Sequence, residues 1–144
     1  MEIEKFRRGK KQEKIEFINE GLTIEHVLPQ KWYEHWPLEG NLIPQNEFDI
    51  AVHAVMTEED PHGYYHKIVK RNNKLHSLGN LTLLTTSLNP SVSNSSFDTK
   101  QKELAKQSTL LLNTYFIDFE NWDESTIEKR TELLIDVIIK IWKY

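Results

Sequence analysis

The sequence predicts an α+β fold in which a small ββα unit is embedded in a mostly helical domain. Two short segments rich in β-branched residues read as strands, and a long irregular stretch separates them. Segments with helical spacing of apolar residues flank this pair. The 144 residues are enough for one domain with its own core, so we expect a single domain over 1–144.

The first part of the chain predicts a helix followed by a strand. Residues 1–21 have a partial apolar set at helical spacing, but no start signal precedes it. We therefore expect the chain to be the C-terminal piece of a larger protein. The segment LTIEHVL, residues 22–28, contains Thr23, Ile24 and Val27 and is predicted to form the first strand.

The middle of the chain predicts a long loop and two helices. Residues 29–44 lie between two prolines and carry Trp32, Tyr33 and Trp36, which we expect to anchor the loop on the core. Residues 48–56 have helical spacing, and a second helix is expected after Pro61.

The last part predicts a strand and two helices. SLGNLTLLTTSLNP, residues 77–90, reads as the second strand bounded by turn residues. Residues 97–116 are predicted to form one helix with Asp98 as a candidate N-cap. Residues 123–142 form the clearest helix, with an apolar stripe that we assign to the core. The stripe consists of Ile127, Leu134, Val137, Ile138, Ile141 and Trp142.

Composition restricts the functional classes. The chain has no cysteine, which excludes disulfides and thiolate zinc sites and favours a cytoplasmic protein. No membrane-spanning run or signal peptide is evident, so we expect no membrane partner. The net charge is −4, yet basic residues cluster in two runs that include Arg7 and Arg8, and Lys70 and Arg71. These runs predict either a phosphate-binding surface or an ordinary solvated one.

Polar residues capable of chemistry fall at the joints of the predicted ββα unit. Glu25 and His26 end the first strand, Asn80 opens the second, and Asn89 lies nine positions further on. An imidazole can transfer a proton, and carboxylate and amide oxygens suit Mg²⁺ or Mn²⁺. The pattern therefore indicates a reaction in which a metal ion and an imidazole activate a water molecule.

At these residues the sequence resembles the HNH, or ββα-metal, nuclease superfamily. It is most similar to the C-terminal HNH domain of GmrSD-type restriction proteins, which cleave modified phage DNA. IEHVLPQ resembles the first motif of that family, and LGNLTLLTTSLNPSVSNSSFDTK resembles the second. The likeness covers a motif core at residues 22–100, and residues 101–144 form a helical extension. The superfamily's zinc-binding CxxC pairs, present in many members, are missing here.

The resemblance implies a role for each matched residue. His26 matches the general base, and Glu25 stands where many HNH sites have an acidic metal ligand. Asn80 matches the middle asparagine of the catalytic motif, which holds the loop and orients the histidine. Asn89 matches the position that completes the metal site, although Pro90 also makes it a candidate helix cap.

The resemblance also implies a substrate and partners. We expect a metal-dependent DNA endonuclease that uses one Mg²⁺ or Mn²⁺ ion and acts in restriction or phage defence. Asn94 and Lys100 match later motif positions and, with the two basic runs, are candidate contacts to DNA. An N-terminal NTPase-like domain of the same polypeptide is the expected partner. Two alternatives stay open: an inactive module that binds nucleic acid or protein, and a hydrolase acting on RNA or another phosphodiester.

Two other features have simpler interpretations. His62 and His66 lie one helical turn apart and could bind a metal, but surface histidines are the expected account. The tryptophans could stack on unpaired bases, but we expect them to pack in the core.

Overall fold

A computed structural model describes residues 3, 6, 21–57, 63–87, 95–108 and 110–142. The helix predicted over residues 1–21 falls almost entirely outside this part of the chain. Within it, an antiparallel two-stranded sheet lies among helices, which confirms the predicted α+β, mostly helical class.

The two strands are those that the sequence predicts. Strand β1 spans Leu22–His26 and strand β2 spans Leu81–Thr85. They pair antiparallel, with His26 opposite Leu81 at one end and Leu22 opposite Thr85 at the other. Thr82 and Leu84 on β2 are buried, so one face of the sheet packs on the core.

Among the described residues between the strands, the chain forms three α-helices. Helix α1 is the short segment Trp32–His35, within the predicted loop. Helix α2 spans Gln45–Met56 and begins directly after Pro44. Helix α3 spans Tyr64–Asn72 and follows Gly63, whose φ of 67° is a left-handed conformation that glycine adopts without strain. A 3₁₀ turn, Leu78–Asn80, leads into β2.

The segment predicted as one helix over residues 97–116 is divided. Helix α4 spans Phe97–Gln107, and the short helix α5 spans Leu111–Thr114. Ser108 between them has an extended conformation that interrupts the helix. The N-cap of α4 is Ser96, and Asp98 lies in the first turn, so the assignment of Asp98 as the cap was wrong.

Helix α6, Glu124–Ile141, begins at a capping box. The Asp123 carboxylate accepts a hydrogen bond from the Thr126 amide, and the Thr126 hydroxyl accepts one from the Asp123 amide. Of the six residues in its predicted apolar stripe, only Ile127 and Leu134 are fully buried. Trp142, which the predicted stripe places in the core, is 52% exposed.

The core is rich in aromatic side chains. Trp32, Tyr33 and Trp36 are buried, which confirms that they anchor the loop after β1. Trp122 stacks on Phe97, with the two ring centroids 5.9 Å apart. These contacts join the loop, α4 and the segment before α6, so the core supports the sheet from several elements at once.

Candidate active site

The two sequence motifs meet at one end of the sheet. His26 is the last residue of β1, and Asn80 immediately precedes β2. Past the end of the strand pair, the Val27 amide donates a hydrogen bond of 2.9 Å to the Asn80 carbonyl. The backbone on the C-terminal side of His26 is thereby tied to the second motif.

The Asn80 side chain is fully buried and makes four hydrogen bonds. Its amide oxygen accepts from the Leu28 amide at 2.7 Å and from Trp122 Nε1 at 3.1 Å. Its nitrogen donates to the carbonyls of Leu28 at 3.0 Å and Leu75 at 2.9 Å. Asn80 thus binds the turn after β1 and the segment before β2 together. Its contacts are those of a residue that holds the site, and its side chain does not point to solvent.

Helix α6 packs against the 3₁₀ turn that leads into β2. A Cβ atom on Gly79 would lie 2.0 Å from the Ile127 carbonyl oxygen, so only glycine allows this close approach. The Gly79 amide donates to the Thr131 hydroxyl at 3.0 Å. Arg130, which is 1% exposed, donates to the carbonyls of Gly79 at 2.6 Å and Leu81 at 2.8 Å. The entry into β2 is therefore fixed on the C-terminal helix.

Lys100 reaches the end of β1 from helix α4. Its Nζ lies 2.6 Å from Glu25 Oε1 and 2.7 Å from the His26 carbonyl oxygen. The residue is 1% exposed. Burial lowers the pKa of Lys100, and the neighbouring Glu25 carboxylate opposes this shift. The structure differs here from the sequence prediction, since Lys100 faces Glu25 in the interior and not a phosphate at the surface.

The His26 imidazole is half-buried and contacts a second histidine. Its Nε2 lies 3.1 Å from Nδ1 of His76, which is exposed, and the two rings meet edge to face at 79°. Burial lowers the pKa of His26 below its ordinary value, and His76 lowers it further, while Glu25 acts in the opposite direction. The neutral imidazole, which can accept a proton, is therefore favoured.

Glu25 and His26 point to opposite faces of β1, as successive residues of a strand do. Glu25 contacts Lys100, whereas the His26 side chain contacts His76. In the described ranges, no group of three or more His, Asp or Glu side chains is arranged to hold a metal ion. Asn89 and Asn94, the other predicted motif residues, lie outside the described residues, and their roles stay predictions.

The basic residues predicted to bind DNA divide into two kinds. Arg71 is 9% exposed, and its guanidinium donates to Glu124 at 2.7 Å and to the Pro37 carbonyl at 2.9 Å. It also lies over the Trp32 ring, 5.2 Å from the centroid. Arg71 therefore joins three elements of the interior, which differs from the predicted phosphate contact. Lys70 is exposed on α3. Arg7 and Arg8 lie outside the described residues.

The remaining sequence hypotheses have different outcomes. His62 lies outside the described residues, so the His62–His66 pair stays a hypothesis. Trp32, Trp36 and Trp122 are at most 6% exposed, which confirms their packing role and leaves them unable to stack on bases. His76 was not predicted as a site residue; its position four residues before Asn80, just ahead of the second motif, was the available signal.

Comparison with protein families places the chain beside restriction enzymes. A family model described as the C-terminal domain of GmrSD restriction endonucleases matches residues 2–137, which include both motifs and most of α6. No curated protein and no solved structure matches the chain. Among the helices that the structure describes, none has the length and apolar character needed to cross a membrane.

Proposed function

The chain belongs to the family of C-terminal domains of GmrSD restriction endonucleases, and we propose that it is a metal-dependent DNA endonuclease of the HNH type. In this proposal His26 is the general base. It removes a proton from a water molecule, whose oxygen then attacks the phosphorus atom of a phosphodiester bond. The bond to the 3′ oxygen breaks, leaving a 5′ phosphate and a 3′ hydroxyl.

The observation that carries this proposal is an imidazole at a strand end whose backbone is held by hydrogen bonds on both sides of the site. The His26 carbonyl is bonded to Lys100, and the next residue, Val27, is bonded to the Asn80 backbone. The lowered pKa of His26 favours its proton-accepting form. A base with a fixed position and the correct protonation state is what general base catalysis requires.

The donor atoms of Glu25 and Asn89 would suit a divalent metal by their chemistry, and Glu25 would hold it on the face of β1 opposite to the His26 imidazole. Mg²⁺ and Mn²⁺ prefer oxygen ligands, and Mg²⁺ commonly binds proteins through one or two carboxylates while retaining several waters. The Glu25 carboxylate, with Oε1 bonded to Lys100, has Oε2 to offer as a ligand. Asn89 would supply an amide oxygen. When bound, the metal would stabilise negative charge on the phosphate and on the leaving oxygen.

The same proposal includes the substrate contacts and partner that the resemblance implies. Lys70, which is exposed on α3, would contact DNA phosphates together with Arg7, Arg8 and Asn94. Selection of the DNA to be cut would belong to an NTPase-like region of the same polypeptide, and the biological role would be cytoplasmic restriction of phage DNA. The restriction endonuclease family supports DNA as the substrate.

One observation favours a second candidate, an inactive module that retains the fold and binds nucleic acid or protein. Glu25, the proposed metal ligand, is already paired with a buried ammonium group at 2.6 Å. A cation on the other carboxylate oxygen would lie close to this positive charge and be repelled by it. If the repulsion dominates, the chain would bind DNA without cutting it.

A plasmid nicking assay with two variants tests the proposal. His26→Ala should bind DNA and metal normally but lose about 10²–10⁴ in cleavage rate, the contribution of a general base. Glu25→Gln should weaken metal affinity, so that raising Mn²⁺ or Mg²⁺ restores part of the activity. His53→Ala, at an exposed histidine on α2, is the matched control. Wild-type cleavage that does not depend on added metal, or a His26→Ala variant that cuts at the wild-type rate, would contradict the mechanism.

A further inference from the structure

His76 lies in a segment whose backbone is fixed on both sides. The carbonyl of the preceding residue, Leu75, accepts a hydrogen bond of 2.9 Å from the Asn80 side chain. The carbonyl of the following residue, Ser77, accepts a hydrogen bond of 2.9 Å from the backbone N–H of Asn80. His76 itself is exposed, yet its ring is directed at His26 with a nitrogen to nitrogen distance of 3.1 Å. Its position is therefore set by the same asparagine that holds the end of β1.

The contact between the two rings constrains the location of protons. A hydrogen bond between His26 Nε2 and His76 Nδ1 needs one N–H and one lone pair. If His76 Nδ1 is the donor, neutral His26 carries its proton on Nδ1, and its Nε2 lone pair is occupied. His26 then has no lone pair left with which to accept a proton.

The opposite arrangement leaves His26 competent as a base. If His26 Nε2–H is the donor, the Nδ1 atom of His26 carries the free lone pair. Proton transfer then breaks an O–H bond of water and forms an N–H bond at Nδ1, and the charge of the resulting imidazolium is stabilised by the His76 acceptor. The tautomer of a histidine is commonly set by the hydrogen bond that its other nitrogen makes.

We propose that His76 is a positioning residue that accepts a hydrogen bond from His26 Nε2–H and so holds His26 in the tautomer whose Nδ1 atom takes the proton from water. This inference rests on the proposed role of His26 as the general base. It adds a residue that the two matched motifs do not include.

The test compares His76→Ala with His76→Asn in the full chain. Alanine removes the acceptor, whereas asparagine can present its amide oxygen near the position of the His76 Nδ1 atom. Single-turnover nicking of supercoiled plasmid at saturating Mn²⁺ should fall about 10- to 100-fold in His76→Ala, comparable to the loss of other residues that orient a functional side chain. His76→Asn should recover most of the rate. DNA affinity and melting temperature should match wild type in both, because His76 is exposed.

A spectroscopic measurement reports on the tautomer directly. Long-range ¹H–¹⁵N NMR of the imidazole rings should find neutral His26 as the Nε2–H form in wild type and in His76→Asn, and as a mixture in His76→Ala. An Nδ1–H tautomer in wild type overturns the inference. Equal cleavage rates in wild type and His76→Ala also overturn it, as does a His76→Asn variant no faster than His76→Ala.

His26→Ala separates this inference from the proposed function. If His26→Ala cuts as fast as wild type, the proposed function fails and the role of His76 fails with it. If His26→Ala is inactive while His76→Ala retains the wild-type rate, only the positioning role is wrong. His53→Ala should cut at the wild-type rate and controls for the loss of an exposed histidine.

Discussion

Replacing Lys100 with methionine should destabilise the domain strongly, because it leaves a carboxylate without its counter-ion in the interior. The Lys100 side chain is 1% exposed, and the Glu25 side chain is 13% exposed. Methionine fills the space of the aliphatic stem but cannot bond to Glu25 or to the His26 carbonyl. The variant therefore removes the charge while changing the packing little.

The expected cost follows from the burial of the pair. Removing one partner of a buried ion pair costs about 3–5 kcal/mol in the free energy of unfolding. For a chain of this size, each kcal/mol lowers the melting temperature by about 2–4 °C, so Lys100→Met should melt about 6–20 °C below wild type. Lys102→Met is the matched control, since Lys102 lies on the same helix but is exposed.

A double-mutant cycle with Glu25→Gln tests whether the pair is the cause. Lys100→Met combined with Glu25→Gln leaves no buried charge. The double variant should therefore lose about 1–3 kcal/mol less free energy of unfolding than the sum of the losses in the two single variants. Chemical denaturation of the four proteins measures this coupling. Two results would show that the Lys100–Glu25 pair does not hold the end of β1. One is a melting temperature of Lys100→Met equal to that of Lys102→Met. The other is a double variant whose loss in the free energy of unfolding equals the sum of the two single losses.

Two further predictions concern the second motif and the charged surface. Asn80→Ala leaves four buried backbone and side-chain groups without their partner and should cost about 3–5 kcal/mol by thermal or chemical unfolding; a melting temperature equal to wild type would show that its hydrogen bonds are dispensable. Charge reversal at Lys70, Arg7 and Arg8 should weaken DNA binding and flatten its dependence on salt concentration, by about one unit of log–log slope for each phosphate that is no longer neutralised. An unchanged slope would identify these residues as ordinary solvated surface.

The sequence predicted the fold where local patterns determine it. Both strands were found from β-branched residues bounded by turn residues, and α6 was found from its apolar spacing. The break between α4 and α5 was missed, since residues 97–116 contain no proline or glycine to mark it. The prediction that the apolar stripe of α6 is buried as far as Trp142 was wrong for a different reason. An apolar stripe identifies the face that can be buried, but tertiary contacts decide how far along the helix that burial extends.

The site was predictable in identity more than in geometry. The motif order indicated that His26 and Asn80 belong to one site, and the strand register does bring their backbones together. Contacts made across the chain were not predictable from spacing. Lys100 lies 75 positions from Glu25, and His76 lies 50 positions from His26. Such pairs depend on the packing of α4 and of the loop after α3, which sequence spacing does not specify.

Three buried cations share a sequence pattern. The pattern explains why Arg71 and Lys100, which the sequence suggested as contacts to DNA, lie in the interior. Each lies three residues after one buried apolar side chain and four residues before another, which places it on the inward face of a helix or of its end. The three sets are Ile68–Arg71–Leu75, Phe97–Lys100–Leu104 and Ile127–Arg130–Leu134.

A cation in such a position must find oxygen partners inside the protein, because an unpaired buried charge is costly. All three donate to backbone carbonyls, and those of Lys100 and Arg130 belong to residues at the joined ends of β1 and β2. The helices thus fix the strand ends that carry Glu25 and His26 through charge-assisted hydrogen bonds. In this arrangement a basic residue within an apolar helical stripe indicates an interior contact, which for Lys100 and Arg130 supports the site, and contacts to DNA are expected among exposed residues such as Lys70.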